Sequence, residues 1–242
     1  MNNLEISRKN VNISSTDRFI FVNNVDKNSN VVFNVEPNSE CTVGILLKNN
    51  LDTISFSGQI SDNSNINIFV ADFLQGKNMV TTNFKLDKNS NLNWRLASVT
   101  SKDDQKCFEV SVSHDAPSST AVVENYGVCK DASELTFAGI SHIKNKCINS
   151  KTSQNARIMV FDDECIAKAK PILKIDENEI SANHAAVVGR VNDEHLFYLT
   201  SRGIPEDTAK QLITYGYLKP ILEGFKDEKI KEEITKLIEE KI

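Results

Sequence analysis

PILKIDENEISANHAAVVGRVNDEHLFYLTSRGI, residues 171–204, is the stretch whose reading decides the fold. Ile172, Leu173, Ile175 and Ile180 give β sequence broken by an acidic turn, Asp176-Glu177-Asn178-Glu179. Small and β-branched residues follow His184, from Ala185 to Gly189, as they would in a second strand. Asn192-Asp193-Glu194 reads as another polar turn, and Leu196-Phe197-Tyr198-Leu199 as a third strand. Ser201-Arg202-Gly203-Ile204-Pro205 then switches the pattern from strand to helix.

Working towards the N-terminus, the same kind of punctuation recurs. Asn28-Ser29-Asn30, Asn38-Ser39-Glu40, Asn63-Ser64-Asn65 and Asn89-Ser90-Asn91 each precede a run that alternates apolar and polar residues. Asn tolerates the left-handed conformation, and Asn and Ser side chains bond to nearby backbone, so each triplet turns the chain cheaply. Turns before Leu135, Cys165 and Ile180 continue the series, with no linker between the halves. Many short strands between repeated turns predict a β-solenoid or a β-sandwich.

Beyond residue 204 the pattern is helical. Pro205-Glu206-Asp207 suits a first helical turn, where proline forfeits no hydrogen bond and acids meet the positive end of the dipole. Ala209, Leu212 and Ile213 give an apolar face, expected to break near Gly216. A further helix is expected after Asp227 as N-cap, with Ile230, Ile234, Leu237 and Ile238 on one face and charges on the other. That stripe either caps the end of the β core or docks a partner.

Composition excludes several classes of function. Net charge is −5 with both signs interspersed, so neither nucleic acid nor an anionic membrane is an expected partner. No stretch approaches the ~18 apolar residues of a membrane span, and Met1-Asn2-Asn3-Leu4-Glu5 has no leader character. Five cysteines without a Cys-x-x-Cys pair argue against a disulfide framework and suit a reducing cytoplasm. Nine glycines and no P-loop mean that no nucleotide is expected on this chain itself.

The ordered motifs resemble the SufB/SufD family of iron–sulphur cluster assembly scaffolds. Ser113-His114-Asp115-Ala116-Pro117 is similar to that family's His-x-Ala-Pro strand end, and Leu135-Thr136-Phe137-Ala138-Gly139-Ile140 to its Phe-x-Gly strand. Thr152 to Asp163 resembles its Gln/Asn-rich strand and the strand after it. Pro171-Ile172-Leu173-Lys174-Ile175, His184 in its small-residue strand and Ser201-Arg202-Gly203-Ile204 complete the series. The N-terminal half shares only β character, and the chain reads as a compact member. The resemblance implies a mainly β fold: a right-handed parallel β-helix core over residues 1–200 and a C-terminal α-helical subdomain over 201–242.

It also implies a site. Asp163-Glu164-Cys165-Ile166-Ala167-Lys168-Ala169-Lys170-Pro171 aligns with the SufB segment whose cysteine is implicated in holding the nascent cluster, so Cys165 is the candidate thiolate ligand. Lys168 and Lys170 would favour that thiolate if their side chains reach it. His184 falls on the SufD histidine, an imidazole that ligates iron when neutral. The expected cargo is a transient iron–sulphur cluster. The expected partners are a SufC-type ATPase, on a docking surface including Arg202, Gly203, Ile204, Leu212 and Ile213, and either a SufB/SufD-type subunit or a second copy of the chain. On this reading the chain is a non-catalytic scaffold. A β-helical carbohydrate-active enzyme and a purely structural solenoid are the alternatives. Judged without the resemblance, lone strand cysteines and histidines are packing residues first.

Overall fold

A computed structural model describes residues 2–5, 10–23, 28–47 and 53–242; Met1, where the leader was judged, lies outside them. Strands β1 (Asn2–Glu5), β3 (Phe19–Asn23), β5 (Glu40–Leu47), β7 (Asn65–Asp72), β9 (Asn91–Thr100), β11 (Thr120–Cys129), β13 (Lys151–Val160) and β15 (Ser181–Arg190) form one sheet in that order. The second sheet runs β14 (Ile166–Ile175), β12 (Glu134–Ile143), β10 (Gln105–His114), β8 (Lys77–Leu86), β6 (Thr53–Ile60), β4 (Ser29–Val35), β2 (Asn10–Ile13). Every pairing is parallel, and consecutive strands alternate between the sheets. The chain is therefore a parallel β-helix, and the sandwich alternative falls.

The turn series explains the coiling. Asn28, Asn38, Asn63, Asn89 and Asp131, each the first residue of its turn unit, have φ of 53°, 60°, 58°, 54° and 55°. That left-handed conformation costs Asn and Asp less than other side-chain-bearing residues. The serine after three of these asparagines then turns inward: Ser39, Ser64 and Ser90 are buried. Ser90 Oγ donates to the Asp87 carbonyl at 2.7 Å, and the Ser39 amide donates to Ser64 Oγ at 3.2 Å, linking successive coils. Stacked serines continue at Ser119 and Ser150, whose hydroxyls lie 3.2 Å apart.

Inside the coil, alternate residues form a core built around Phe33, Phe56, Phe84, Trp94, Phe108 and Phe137, with ring centroids of neighbours 5.6–6.3 Å apart. In β5, β7, β9 and β11 the alternation gives way to unbroken burial over the last residues of the strand. There the outer face is covered as well. Leu46, Phe69, Ala71, Ala97, Val99 and Val128 pack against helices α2 (Glu206–Leu222) and α3 (Glu228–Lys241). Close approach needs Gly224, where an added Cβ would lie 2.0 Å from the Phe69 ring.

Below this layer, Lys106 Nζ and Asp72 Oδ1 pair at 3.0 Å with both side chains fully buried. Lys106 also donates to the Val99 carbonyl at 3.3 Å. Lys241, at the end of α3, reaches in to Asp104, whose carboxylate also accepts the Gly76 and Ser101 amides at 2.6 and 2.9 Å. The helical layer is thus fastened by apolar contact and by a buried ion pair.

Several expectations are corrected. Leu196–Leu199 is not a strand but part of helix α1 (Asp193–Ser201): Asn192 Oδ1 accepts the Glu194 amide at 2.8 Å, and acids fill the first turn. Ser201-Arg202-Gly203-Ile204 is consequently a helix stop, with Gly203 at φ 86° and its amide on the Thr200 carbonyl at 2.9 Å. Helix α2 runs through Gly216 without interruption, and Leu212 faces outward while Ala209 is buried. Asp227 caps α3 as expected, accepting the Lys229 amide at 2.8 Å. Its stripe of Ile230, Ile234 and Ile238 neither caps the end of the coil nor remains free for a partner, because it is buried on the sheet's outer face. Among the described residues, no helix is long and apolar enough to cross a membrane.

Candidate functional site

The last coil, β14 with β15, is built differently from the middle coils. Each strand pairs on one side only, leaving a free row of backbone donors and acceptors. Ile166, Ile172, Val187 and Val188 are 41%, 45%, 53% and 46% exposed. Both candidate ligands lie on this open coil.

Cys165 sits at the corner before β14. The Ile166 amide donates to the Ser133 carbonyl at 2.9 Å, seating this corner on the one below. The Cys165 thiol lies 3.4 Å from the Asp131 carbonyl and within hydrogen-bonding reach of the Cys129 thiol. Cys129 is fully buried, its sulphur 3.3 Å from Ser133 Oγ. Burial pushes the Cys165 thiol up to about 12, against a backbone hydrogen bond at Asp162 that lowers it, and the neighbouring Cys129 pushes the same way as burial. No lysine offsets this. Lys168 and Lys170 stand exposed on the outer face of β14, where Lys170 acts on Cys107 instead. The expected activation by these lysines is therefore corrected: the isolated chain holds Cys165 as a thiol, and a metal would have to displace its proton.

His184 is in register with Gln154 and exposed on β15. The buried row Thr152, Gln154, Ala156 and Ile158 faces the interior of β13, so Ala182, His184, Ala186 and Val188 above it occupy the interior row of the open coil. The two candidates are not brought together within one chain. Arg190 at the far end of β15 pairs with Asp163 beside the Cys165 corner. His184 lies six residues back along the strand, roughly 20 Å away at ~3.3 Å per residue. Among the described residues, no three His, Cys, Asp or Glu side chains are grouped to hold a metal ion.

The candidate docking residues divide. Arg202, Gly203 and Leu212 are exposed, Ile204 is half-buried, and Ile213 packs against the helix-covered core. Two residues not singled out by sequence dominate this surface: Phe197 and Tyr198 are 74% and 57% exposed, with the Arg202 guanidinium 5.3 Å above the Tyr198 ring. Read as a strand, that segment gave no reason to place them there. Also missed were Cys129 beneath Cys165 and Gln154 beneath His184. The coil period of about 30 residues was the available signal for Gln154, since Gln154 and His184 are in register.

Comparison with known proteins fits this architecture. Over 135 residues the chain is 35% identical to the iron–sulphur cluster assembly protein SufD of Bacillus subtilis, covering 56% of this chain and 31% of that protein. It is 30% identical over 107 residues to an iron–sulphur cluster assembly SufBD family protein of Staphylococcus saprophyticus, covering 44% of this chain and 23% of the relative. A Staphylococcus aureus SufBD family protein is 29% identical over the same length. The match thus spans less than a third of each relative. The family model described as SUF system FeS cluster assembly, SufBD core domain, matches residues 9–217. With a parallel β-helix under most of that span, the chain belongs to the SufBD family of the SUF iron–sulphur cluster assembly system.

Proposed function

We propose that the chain is a cytoplasmic scaffold component of iron–sulphur cluster assembly, with a nascent cluster as transient cargo. The observation that carries the reading is the open terminal coil, which exposes unpaired strand edges and apolar side chains and holds both Cys165 and His184. A SufB/SufD-type subunit, or a second copy of the chain, pairs with this coil. Because the two candidate ligands stand at opposite ends of one coil, each meets a ligand from the other subunit. In a two-fold pair, Cys165 of one copy faces His184 of the other, and the site occurs twice. The surface of α1 and α2 around Phe197, Tyr198, Arg202, Gly203, Ile204 and Leu212 docks a SufC-type ATPase, which supplies the nucleotide chemistry; Ile213 supports that surface from behind.

Complementation tests the site. Cys165→Ser and His184→Ala chains are each reconstituted anaerobically with iron and sulphide, alone, mixed, and with a SufB-type subunit. If copies pair with each other, the mixture regains up to half of the wild-type visible charge-transfer absorbance while neither variant does alone. Recovery only with the SufB-type subunit assigns the heteromeric pair. Wild-type absorbance in both single variants overturns the assignment of the two ligands.

A further inference from the structure

Two thiols meet at the corner that leads into the last coil. Cys129 ends β11 and is fully buried, its sulphur 3.3 Å from both the carbonyl and Oγ of Ser133. One coil above, Cys165 closes the corresponding corner and packs against the solenoid core, its sulphur 3.4 Å from the Asp131 carbonyl. The two corners turn alike: the Ser133 amide donates to the Lys130 carbonyl at 3.2 Å, and the Cys165 amide to the Asp162 carbonyl at 3.3 Å.

The meeting repeats one found a coil below. Thr100 is in register with Cys129, and Glu134 and Ile166, which follow Ser133 and Cys165, are in register with each other. Thr100 and Ser133 therefore hold the same two positions one coil lower, and there Ser133 Oγ donates to Thr100 Oγ1 at 2.9 Å. Where the lower coil sets hydroxyl against hydroxyl, the upper sets thiol against thiol, within hydrogen-bonding reach. Sulphur, unlike oxygen, can close that contact as a stable bond. A disulfide joins Cα atoms about 4.4–6.8 Å apart, and neighbouring strands lie ~4.8 Å apart, so the step between coils suits the bridge.

Access to the two sulphurs differs. Cys129 is shut off from solvent and Cys165 is only half-buried, so an oxidant in solution meets Cys165 first. We propose that Cys129 is a resolving thiol for Cys165: a peroxide oxidises Cys165, and Cys129 then closes a disulfide between the two coils. In the first step the peroxide O–O bond breaks, an S–O bond forms on Cys165 and one water leaves. In the second the Cys129 sulphur attacks that of Cys165, the S–O bond breaks, and the departing hydroxide takes the Cys129 proton and leaves as water. The two sulphurs lose two electrons and the peroxide gains them. A dithiol returns both thiols by exchange. Because Cys165 is held as a thiol, the first step is slow, and the pair answers sustained oxidant. While the disulfide stands, Cys165 cannot ligate a metal. That consequence rests on the reading of Cys165 as a ligand; the disulfide itself does not.

The bond is tested on the metal-free chain, wild type and Cys129→Ser, treated with hydrogen peroxide or diamide, alkylated and mapped by peptide mass spectrometry without reduction. Wild type should yield a peptide pair joined through Cys129 and Cys165 that dithiothreitol separates. In Cys129→Ser, sulfinic acid at Cys165 should rise at least several-fold under peroxide. A wild-type chain, folded by circular dichroism, that forms no Cys129–Cys165 disulfide with either oxidant overturns the proposal. Equal sulfinic acid at Cys165 in the two chains also overturns it. Iron retained after anaerobic reconstitution with the pairing subunit separates this from the parent reading. Oxidised wild type should retain several-fold less iron than the reduced chain, with recovery on dithiothreitol. If the disulfide forms and iron retention does not change, the resolving thiol stands and the role of Cys165 as a ligand is refuted.

Discussion

The middle coils and the last coil follow the same repeat in the same register, yet they do opposite things with apolar surface. Around β9 and β11 the chain buries both faces of a sheet, one inside the coil and the other beneath α2 and α3. Around β14 and β15 it leaves isoleucine and valine in solvent and the strand edges unpaired. A middle coil is held by neighbours above, below and outside, whereas the last has a neighbour below only. On the proposed function, the difference places the stability of this protein and its capacity to assemble in separate coils. Substitutions should separate them.

The largest effect is expected in the middle. Lys106→Ala strands Asp72 as an uncompensated buried charge and should cost about 3–5 kcal/mol in urea unfolding. The double variant Lys106→Met/Asp72→Asn should recover most of that loss, because it is the orphaned charge and not the missing contact that costs. A loss below about 1 kcal/mol in the single variant would mean that water reaches the pair.

A pH dependence of similar size should come from His114, which is fully buried with Nδ1 2.7 Å from Ser119 Oγ and no partner on Nε2. Burial holds its pKa down to about 4; Asp115 acts against this and His142 with it. In the unfolded chain the group titrates near 6.5, so as pH falls the unfolded state takes up the proton first. The stability is therefore whole above about pH 6.5 and drains away towards pH 4, by about 3 kcal/mol at ~1.4 kcal/mol per unit. His114→Gln should flatten the urea midpoint across this window, leaving the fall below pH 4 to the carboxylates.

The smallest effect on folding, and the sharpest on assembly, is expected at the open coil. Val188→Asp places a charge where the side chain is already 46% exposed, and should change monomer stability by less than about 0.5 kcal/mol. The same change should weaken pairing at least tenfold by analytical ultracentrifugation. Unchanged pairing would remove the open coil from the interface.

Much of the coil was legible because its turns are local. An asparagine that takes a positive φ, followed by an inward serine, can be read from three letters, and the strand after it from alternation. The cap of α3 at Asp227 was legible for the same reason. The cap of α1 was equally local, but Leu196-Phe197-Tyr198-Leu199 was read for β propensity, and Asn192 with its two acids prevailed. Cys165 and His184 were named through resemblance to a family, since one cysteine and one histidine carry no spacing of their own.

What the sequence by itself determined is the repeat: where the chain turns, which residues of each strand face inward, and that helices follow the strands at its end. Only the tertiary structure decided which surfaces the repeat leaves open. The stripe of Ile230, Ile234 and Ile238 fits a capping helix, a docking helix or a covering layer equally well, and Phe69, Leu218 and Phe225 settle it as a covering layer. Likewise Cys165 and His184 stand close in sequence but at opposite ends of one coil, because a strand carries the chain ~3.3 Å per residue away from each turn. Periodicity is a property of neighbours along the chain. Coverage depends on what returns from far along it, and no local pattern encodes that.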